Sequence, residues 1–124
     1  MKPLWGIDLG GTKIECAVLD ADNQLSVLAR KRLPTEAHKG YQHIINQISK
    51  LVAEVSAETG LSPDKIGFAT PGVLDPKTQT MKNCNTVCMN DHPMNQDLME
   101  ALGVPVELAN DANCFALAEA LMGA

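Results

Sequence analysis

The spacing of apolar residues changes at Pro34 from a strand pattern to a helix pattern, and that change limits how the chain can fold. Up to Pro34 the apolar residues alternate or form short runs typical of strands, over residues 4–9, 14–19 and 25–33. Beyond Pro34 they recur at helical spacing, at Ile44, Ile45, Ile48, Leu51, Val52 and Val55. This order predicts an antiparallel β-meander followed by one long amphipathic helix.

The second half of the chain alternates between strand and helix patterns. Strands are predicted over residues 65–69 and 104–109, with a short helix over residues 98–102 and a mostly apolar helix from Asp111 onward. The stretch between about residues 71 and 93 has no regular pattern and is a candidate functional loop. The resulting order, β-β-β-α-β-α-β-α, predicts an α/β domain with a mixed sheet flanked by helices.

Composition and net charge limit the class of protein and the kinds of partner that are expected. The 124 residues are 45% hydrophobic, which is enough for one soluble domain with its own core, and the net charge is −5. A broad basic surface for nucleic acid or anionic lipid is therefore not expected, and any bound phosphate must be met locally. No apolar run approaches the roughly 20 residues of a membrane span, and Met1 leads directly into strand-like sequence. We expect a cytoplasmic protein with no nucleic-acid or membrane partner.

The four cysteines are widely spaced, which favours reduced thiols over disulfides. Cys84, Cys88 and His92 are residue types that bind zinc, but their spacing departs from the usual C-x2-C pattern. The other interpretation is a polar loop that happens to contain thiols.

Two adjacent glycines follow the first predicted strand and give the first candidate site. Gly10 and Gly11 allow a ligand to approach the backbone closely, and turn amides can then bind an anion. The Thr12 hydroxyl and the Lys13 ammonium group could bind the same phosphate. Asp8, at the end of the strand, could hold Mg²⁺ directly or through water.

The same residues also suit a plain hairpin turn, in which Gly-Gly is common and Asp8 has no special role. The patterns G-x-x-x-x-G-K-[ST] and G-x-G-x-x-G are both absent, and strand-like sequence follows Lys13. We therefore expect a hairpin tip without a helix dipole, and spacing alone does not separate the two interpretations. Glu15, in the second predicted strand, is interpreted as a solvated charge.

Asn110 and Asp111 lie between the last predicted strand and the last predicted helix, where open α/β sheets usually bind ligands. A carboxylate there could take the proton of a substrate hydroxyl during phosphoryl transfer. Asn and Asp are also the preferred N-cap residues, and on local sequence alone capping is the favoured interpretation.

Neutral hydrogen-bonding groups make a third candidate site. The Thr70 hydroxyl and the backbone at Gly72 could contact sugar hydroxyls, and Asn83 and Asn85 belong to a loop rich in amide side chains. An ordinary turn and an exposed polar loop are the alternative interpretations.

Three segments taken together resemble the ROK family of bacterial sugar kinases and related repressors. They read GIDLGGTKI at residues 6–14, IGFATPGVLD at 66–75 and ELANDAN at 107–113. Three motifs in the right order are much more specific than any one of them, and the resemblance spans essentially the whole chain. It implies the ribonuclease-H-like, actin-like fold, with a hairpin loop that meets the phosphates of ATP.

The resemblance also implies roles for individual residues. The first phosphate motif is matched by Asp8, Gly10, Gly11, Thr12 and Lys13. The catalytic base is matched by Asp111, and sugar-contacting positions are matched by Asn110 and Gly72. Asn83 or Asn85 is similar to a sugar-facing asparagine of the family. The implied reaction is the ATP- and Mg²⁺-dependent phosphorylation of a hexose or N-acetylhexosamine.

Members of the family carry a second domain with a further phosphate loop, a zinc-binding His/Cys cluster and more sugar-binding residues, and these motifs do not occur here. We therefore expect residues 1–124 to be the N-terminal lobe, with zinc only in a C-terminal lobe. The isolated chain is expected to have little kinase activity, and the intact protein is expected to form a homo-oligomer.

Two other functions are compatible with the motifs. A sugar-sensing ROK regulator without catalysis is disfavoured because the first strand begins close to Met1, which leaves no room for a helix-turn-helix, and because the chain is acidic. An actin-like or chaperone-like ATPase would share the glycine hairpin but would not need an Asn-Asp pair facing a sugar.

Overall fold

The computed structural model describes residues 2–20, 22, 26–69, 73–74, 77–78, 80–82 and 90–109. Seven strands and two α-helices lie in these ranges. In chain order they are β1 (Pro3–Leu9), β2 (Lys13–Asp20), β3 (Ser26–Pro34), α1 (Tyr41–Thr59), β4 (Ile66–Ala69), β5 (Val73–Leu74), β6 (Met81–Lys82), α2 (Met94–Leu102) and β7 (Val106–Ala109).

Five of the strands form one mixed sheet in the order β3-β2-β1-β4-β7. β2 is antiparallel to both β1 and β3, whereas β4 is parallel to both β1 and β7. The predicted meander and the predicted mixed sheet are therefore confirmed. Because β1, β4 and β7 run in the same direction, their carboxyl ends meet at one edge of the sheet, the edge at which open α/β sheets bind ligands.

The core lies between one face of this sheet and helix α1. The strands contribute every second residue, including Ile7 and Phe68, because successive side chains of a strand point to opposite faces. The helix contributes the residues predicted from the 3.6-residue spacing: Ile44, Ile45, Ile48, Leu51, Val52 and Val55. α1 ends at Gly60, whose φ of 72° is in the left-handed region that terminates many helices.

Several boundaries differ from the sequence-based expectations. The stretch predicted to be irregular contains the small antiparallel hairpin of β5 and β6, whose two-residue strands are too short for a period to show. A single turn of 3-10 helix (Ala37–Lys39) was not predicted, and α2 begins at Met94 rather than near Leu98. The helix predicted from Asp111 lies outside the described residues.

No helix within the described part of the chain is long and apolar enough to cross a membrane.

Candidate functional site

The Gly-Gly loop is the tip of the β1–β2 hairpin, as the sequence predicted. The strands pair in register up to Leu9 and Ile14, and the Gly10 amide donates a 3.0 Å hydrogen bond to the Lys13 carbonyl oxygen. A Cβ atom on Gly10 would lie 2.8 Å from that oxygen, closer than non-bonded atoms can approach. Glycine is therefore required at position 10 by lack of space.

Beyond Gly10 the hairpin is open to solvent. Gly11, Thr12 and Lys13 are all exposed, whereas the strand residues on either side, Leu9 and Ile14, are buried. A ligand could reach the turn backbone, the hydroxyl group and the ammonium group from the same side of the molecule.

Asp8 lies two residues before the turn, on the face of β1 opposite the buried Ile7 and Leu9, and its side chain is exposed. It pairs in register with Glu15 on β2. Desolvation by the surrounding protein and, secondly, the negative charge of Glu15 raise the pKa of Asp8, while Lys13 acts in the opposite direction. A positive ion at Asp8 would relieve this unfavourable environment of the carboxylate.

Glu15 is not the solvated charge that the sequence suggested. Only 8% of the residue is exposed, and its Oε1 atom lies 2.7 Å from Arg30 Nε and 3.5 Å from Arg32 Nη2. The two arginines belong to β3, where Arg32 is the register partner of Glu15. A short row of charges therefore crosses the sheet from Asp8 through Glu15 to the arginines.

Thr35 is a residue of the site that the sequence analysis missed. It follows β3 directly and is fully buried. Its hydroxyl donates a 2.7 Å hydrogen bond to the Gly10 carbonyl oxygen, and its amide donates a 3.0 Å bond to the Thr12 carbonyl oxygen. No local pattern marks a lone threonine after a strand as a partner of a turn 25 residues earlier.

The residues of the hairpin fit a magnesium nucleotide. Gly10 lets the turn close against the Lys13 carbonyl, residues 11–13 are exposed, and Asp8 supplies a carboxylate. Among the residues that the structure describes, no group of three or more His, Cys, Asp and Glu side chains is placed to hold a metal ion. A single carboxylate suits Mg²⁺, which keeps several waters and is commonly shared between one or two carboxylates and the phosphates of a substrate.

The remaining candidates lie outside the described residues: Thr70, Gly72, Asn83, Asn85, Asn110 and Asp111. The strands that directly precede Thr70 and Asn110, β4 and β7, are nevertheless described. Asp8 of β1 pairs with Ala69 of β4, and Ala69 pairs with Ala109 of β7. Since neighbouring strands are about 4.8 Å apart, the chain leaves β4 and β7 within roughly 10 Å of Asp8.

The zinc alternative involves two cysteines, Cys84 and Cys88, that are also outside the described residues. His92 is described, and its ring stacks on Tyr41 with a centroid distance of 3.7 Å and an interplanar angle of 7°. The His92 carbonyl oxygen accepts hydrogen bonds from the amides of Met81 and Met94. His92 therefore joins α1, β6 and the start of α2.

Comparison with known proteins identifies the family. Residues 4–124 match the ROK family. The chain belongs to the ROK family. As a ROK domain it has the actin-like ATPase fold of the sugar kinases in this family, which agrees with the fold expected from the three motifs.

Several of its sequence and structure relatives are sugar kinases. This ROK chain is 36% identical over 116 residues to an N-acetyl-D-glucosamine kinase of Aliivibrio salmonicida, covering 94% of the chain and 37% of that kinase. It is similar to a ROK hexokinase of Thermus thermophilus, with 34% identity and a TM-score of 0.76, over 94% of this chain and 38% of that chain. The ROK family glucokinase of Streptomyces griseus, solved with glucose and AMPPNP, matches with 28% identity and a TM-score of 0.77, over 98% of this chain and 37% of that chain. The chain therefore spans less than two fifths of the length of each relative.

Proposed function

We propose that this chain is the N-terminal lobe of an ATP-dependent sugar kinase that phosphorylates a hydroxyl group of a hexose or an N-acetylhexosamine. The observation that carries the proposal is the register of the sheet. Asp8, Ala69 and Ala109 pair across three adjacent parallel strands, so the segments after β1, β4 and β7 all begin at one sheet edge. These are the three segments that contain the family motifs.

The hairpin is the nucleotide side of the proposed site. Magnesium, when bound with ATP, neutralises charge on the transferred phosphoryl group. The exposed turn at Gly11 lets the phosphates approach the backbone, while Thr12 and Lys13 bind their oxygens through a hydroxyl donor and a positive charge. Asp8 holds the ion directly or through water. This role explains why an acidic side chain stands at a position whose surroundings disfavour its charge and raise its pKa.

The segments after β4 and β7 are the sugar side. Asp111 acts as the base that accepts the proton of the attacking hydroxyl, and Asn110 orients the sugar. Thr70, Gly72 and one of the two loop asparagines, Asn83 or Asn85, supply further hydrogen bonds to sugar hydroxyls. Neutral donors and acceptors suit a polyhydroxylated substrate because they bind it without the cost of desolvating a charge.

The relatives are longer than this chain, and the proposal includes a second lobe that covers the cleft. Closure of the two lobes excludes water, so that the sugar hydroxyl rather than solvent receives the phosphoryl group. Zinc belongs to the second lobe, and the intact protein is a homo-oligomer.

The test is ADP release by the intact kinase that carries this chain, measured across a panel of hexoses and N-acetylhexosamines. We expect one sugar to drive ADP release, and we expect Asp111→Asn to lower kcat by about 10²- to 10⁴-fold, the usual contribution of a general base. Asp64→Asn, at an exposed position in the turn before β4, is the matched control and is expected to be neutral.

Other outcomes separate the rival functions. ADP release that does not depend on any sugar would indicate an ATPase of the same fold. A rise in the Tm of the protein on adding a sugar, without ADP release, would indicate a sugar-sensing regulator. Full activity of Asp111→Asn would return Asp111 to the role of a helix cap.

A further inference from the structure

Thr35 connects the end of β3 to the glycine hairpin through two hydrogen bonds, both of which end on carbonyl oxygens of the turn. The hydroxyl bonds to Gly10 at 2.7 Å and the amide bonds to Thr12 at 3.0 Å. The residue is fully buried, so neither donor has water as an alternative partner. Thr35 therefore contacts the turn from the inner side of the molecule.

The direction of these carbonyls determines the direction of two amides. In a trans peptide the C=O and the following N–H point in opposite directions within one plane. The carbonyl of Gly10 shares its peptide plane with the amide of Gly11, and the carbonyl of Thr12 shares its plane with the amide of Lys13. Because both carbonyls point toward Thr35, both amides point away from it. These amides belong to the exposed part of the hairpin.

The segment that carries Thr35 is itself held by helix α1. Gln47 Nε2 donates to the Pro34 carbonyl oxygen at 2.8 Å and approaches Glu36 Oε1 at 3.3 Å. Glu36 has a left-handed backbone (φ 54°, ψ 49°), and its carboxylate also binds His43 at 2.9 Å and Lys39 at 3.2 Å. A non-glycine residue persists in this conformation only where its surroundings hold it there.

We propose that Thr35 is a positioning residue, which turns the amides of Gly11 and Lys13 toward the nucleotide phosphates and keeps the turn carbonyls away from them. The proposal rests on the proposed function, since it assumes that the hairpin binds a magnesium nucleotide. Pointing a carbonyl at a phosphate would place two negative dipoles face to face, whereas fixed amides bind an anion without first reorganising.

The experiment compares Thr35→Val with Thr35→Ser in the 124-residue chain. Valine keeps the shape of the side chain and the backbone bond to Thr12 but removes the hydroxyl, whereas serine keeps the hydroxyl. We expect calorimetric titration with magnesium AMPPNP to give a Kd about 3- to 10-fold weaker for Thr35→Val, as for the loss of one hydrogen bond, and little change for Thr35→Ser. Thr35→Ala is a second hydroxyl-free variant in case the valine variant does not fold.

Thr59→Val is the matched control, because Thr59 also donates its hydroxyl to a backbone carbonyl, that of Val55, at 2.8 Å. It is the last residue of α1, about 27 Å along the helix from the first. A purely structural effect of removing a threonine hydroxyl would weaken AMPPNP binding equally in both valine variants, and that result would overturn the proposal.

A second measurement separates this inference from the proposed function. In the ligand-free chain, NMR order parameters of the Gly11 and Lys13 amides are expected to fall in Thr35→Val and to stay unchanged in Thr59→Val and Thr35→Ser. If the wild-type chain binds no magnesium AMPPNP, the proposed function fails, and the order parameters alone decide whether Thr35 orients the turn. Unchanged order parameters in both hydroxyl-free variants would overturn the inference even if the nucleotide binds.

Discussion

At the scale of single residues, Gly10 and Asp8 differ in why each residue type is present. Gly10 is required by the geometry of the turn, whereas Asp8 is unfavourable for the stability of the fold. Gly10 has no space for a Cβ atom beside the Lys13 carbonyl. Asp8 carries a charge that its surroundings disfavour, since partial desolvation of the exposed side chain and the neighbouring Glu15 both raise its pKa. A carboxylate in such a place is typical of functional sites, where ligand binding rather than stability decides the residue.

The raised pKa of Asp8 leads to a prediction about stability. The folded chain holds a proton on Asp8 more tightly than the unfolded chain does, so this contribution to stability is complete below the ordinary pKa of 3.8 and is lost as pH rises through the raised value. At pH 7 we therefore expect Asp8→Asn to raise Tm slightly, by about 1–3 °C, because solvent screens an exposed side chain. The same substitution is expected to weaken binding of magnesium AMPPNP. Calorimetric melts at pH 7 and pH 3 test the first part, and the gain should disappear at pH 3.

Asp20→Asn is a control for which we expect a shift of Tm in the opposite direction. The amides of Lys2 and Asp22 each donate a 3.0 Å hydrogen bond to Asp20 Oδ1, and the bond from Lys2 is the largest cause of its lowered pKa. Stability from Asp20 is present above the ordinary pKa of 3.8 and is lost as pH falls through the lowered value, so Asp20→Asn should lower Tm at pH 7. A shift of Tm in the same direction for both variants would contradict this account.

At the scale of secondary-structure elements, helix α1 connects the two sides of the proposed site. In its second turn, Gln47 holds the Pro34–Glu36 segment that supports the β1–β2 hairpin. At its first residue, Tyr41 donates a 2.6 Å hydrogen bond to Asp97 Oδ2 of α2 and stacks on His92. Helix α1 therefore contacts the support of the hairpin through Gln47, and contacts α2 and His92 through Tyr41.

The Tyr41–Asp97 bond gives the prediction at this scale. Burial, followed by the hydrogen bond and the charge of Asp97, raises the pKa of Tyr41, so the phenol remains a donor well into the alkaline range. Tyr41→Phe keeps the ring on His92 and removes the donor, and we expect it to lower the free energy of unfolding by about 1 kcal/mol, since both side chains are partly exposed. Urea denaturation measures this change. Gln42→Ala, which removes the exposed Gln42–Asn46 pair, is expected to change it by less than about 0.5 kcal/mol.

At the scale of the whole molecule, the described fold has one sheet edge with the hairpin and the strand ends, and the relatives contain more than twice this length of chain. Phosphoryl transfer depends on positioning two substrates and on excluding water. A single lobe forms only one side of the cleft and is expected to do both poorly. The proposed nucleotide contacts, in contrast, belong to this chain alone, because both the hairpin and its support at Thr35 lie within it.

Accordingly, we expect the 124-residue chain to bind magnesium AMPPNP but to release ADP from ATP and sugar at no more than about a thousandth of the rate of the intact kinase, because it loses most of the contribution of substrate positioning. A coupled ADP assay on equimolar samples measures the ratio. Turnover comparable to the intact protein would show that one lobe suffices and would contradict the two-lobe proposal.

Much of this architecture could be read from local patterns. The alternation in β1 and β2, the 3.6-residue spacing in α1 and the glycines after β1 are repeated over enough residues to predict a mixed α/β sheet with a hairpin at its edge. The two-residue strands β5 and β6 could not be predicted, because a period needs several residues to appear. The true start of α2 was also missed, since its first turn contains only one buried apolar residue, Met94.

The sequence by itself determined the order of the five sheet strands and of helices α1 and α2, and the residue types available to a phosphate or a sugar, because each depends on neighbours within a few positions. It also indicated the family, through three such local motifs. Only the tertiary structure decided that Glu15 is paired with two arginines and that Thr35 supports the hairpin. Glu15 and Arg30 are 15 residues apart in the chain, and Thr35 and Gly10 are 25 apart. Such contacts exist only once the register of β2 against β1 and β3 is established, and register results from the packing of a whole sheet face rather than from any local pattern.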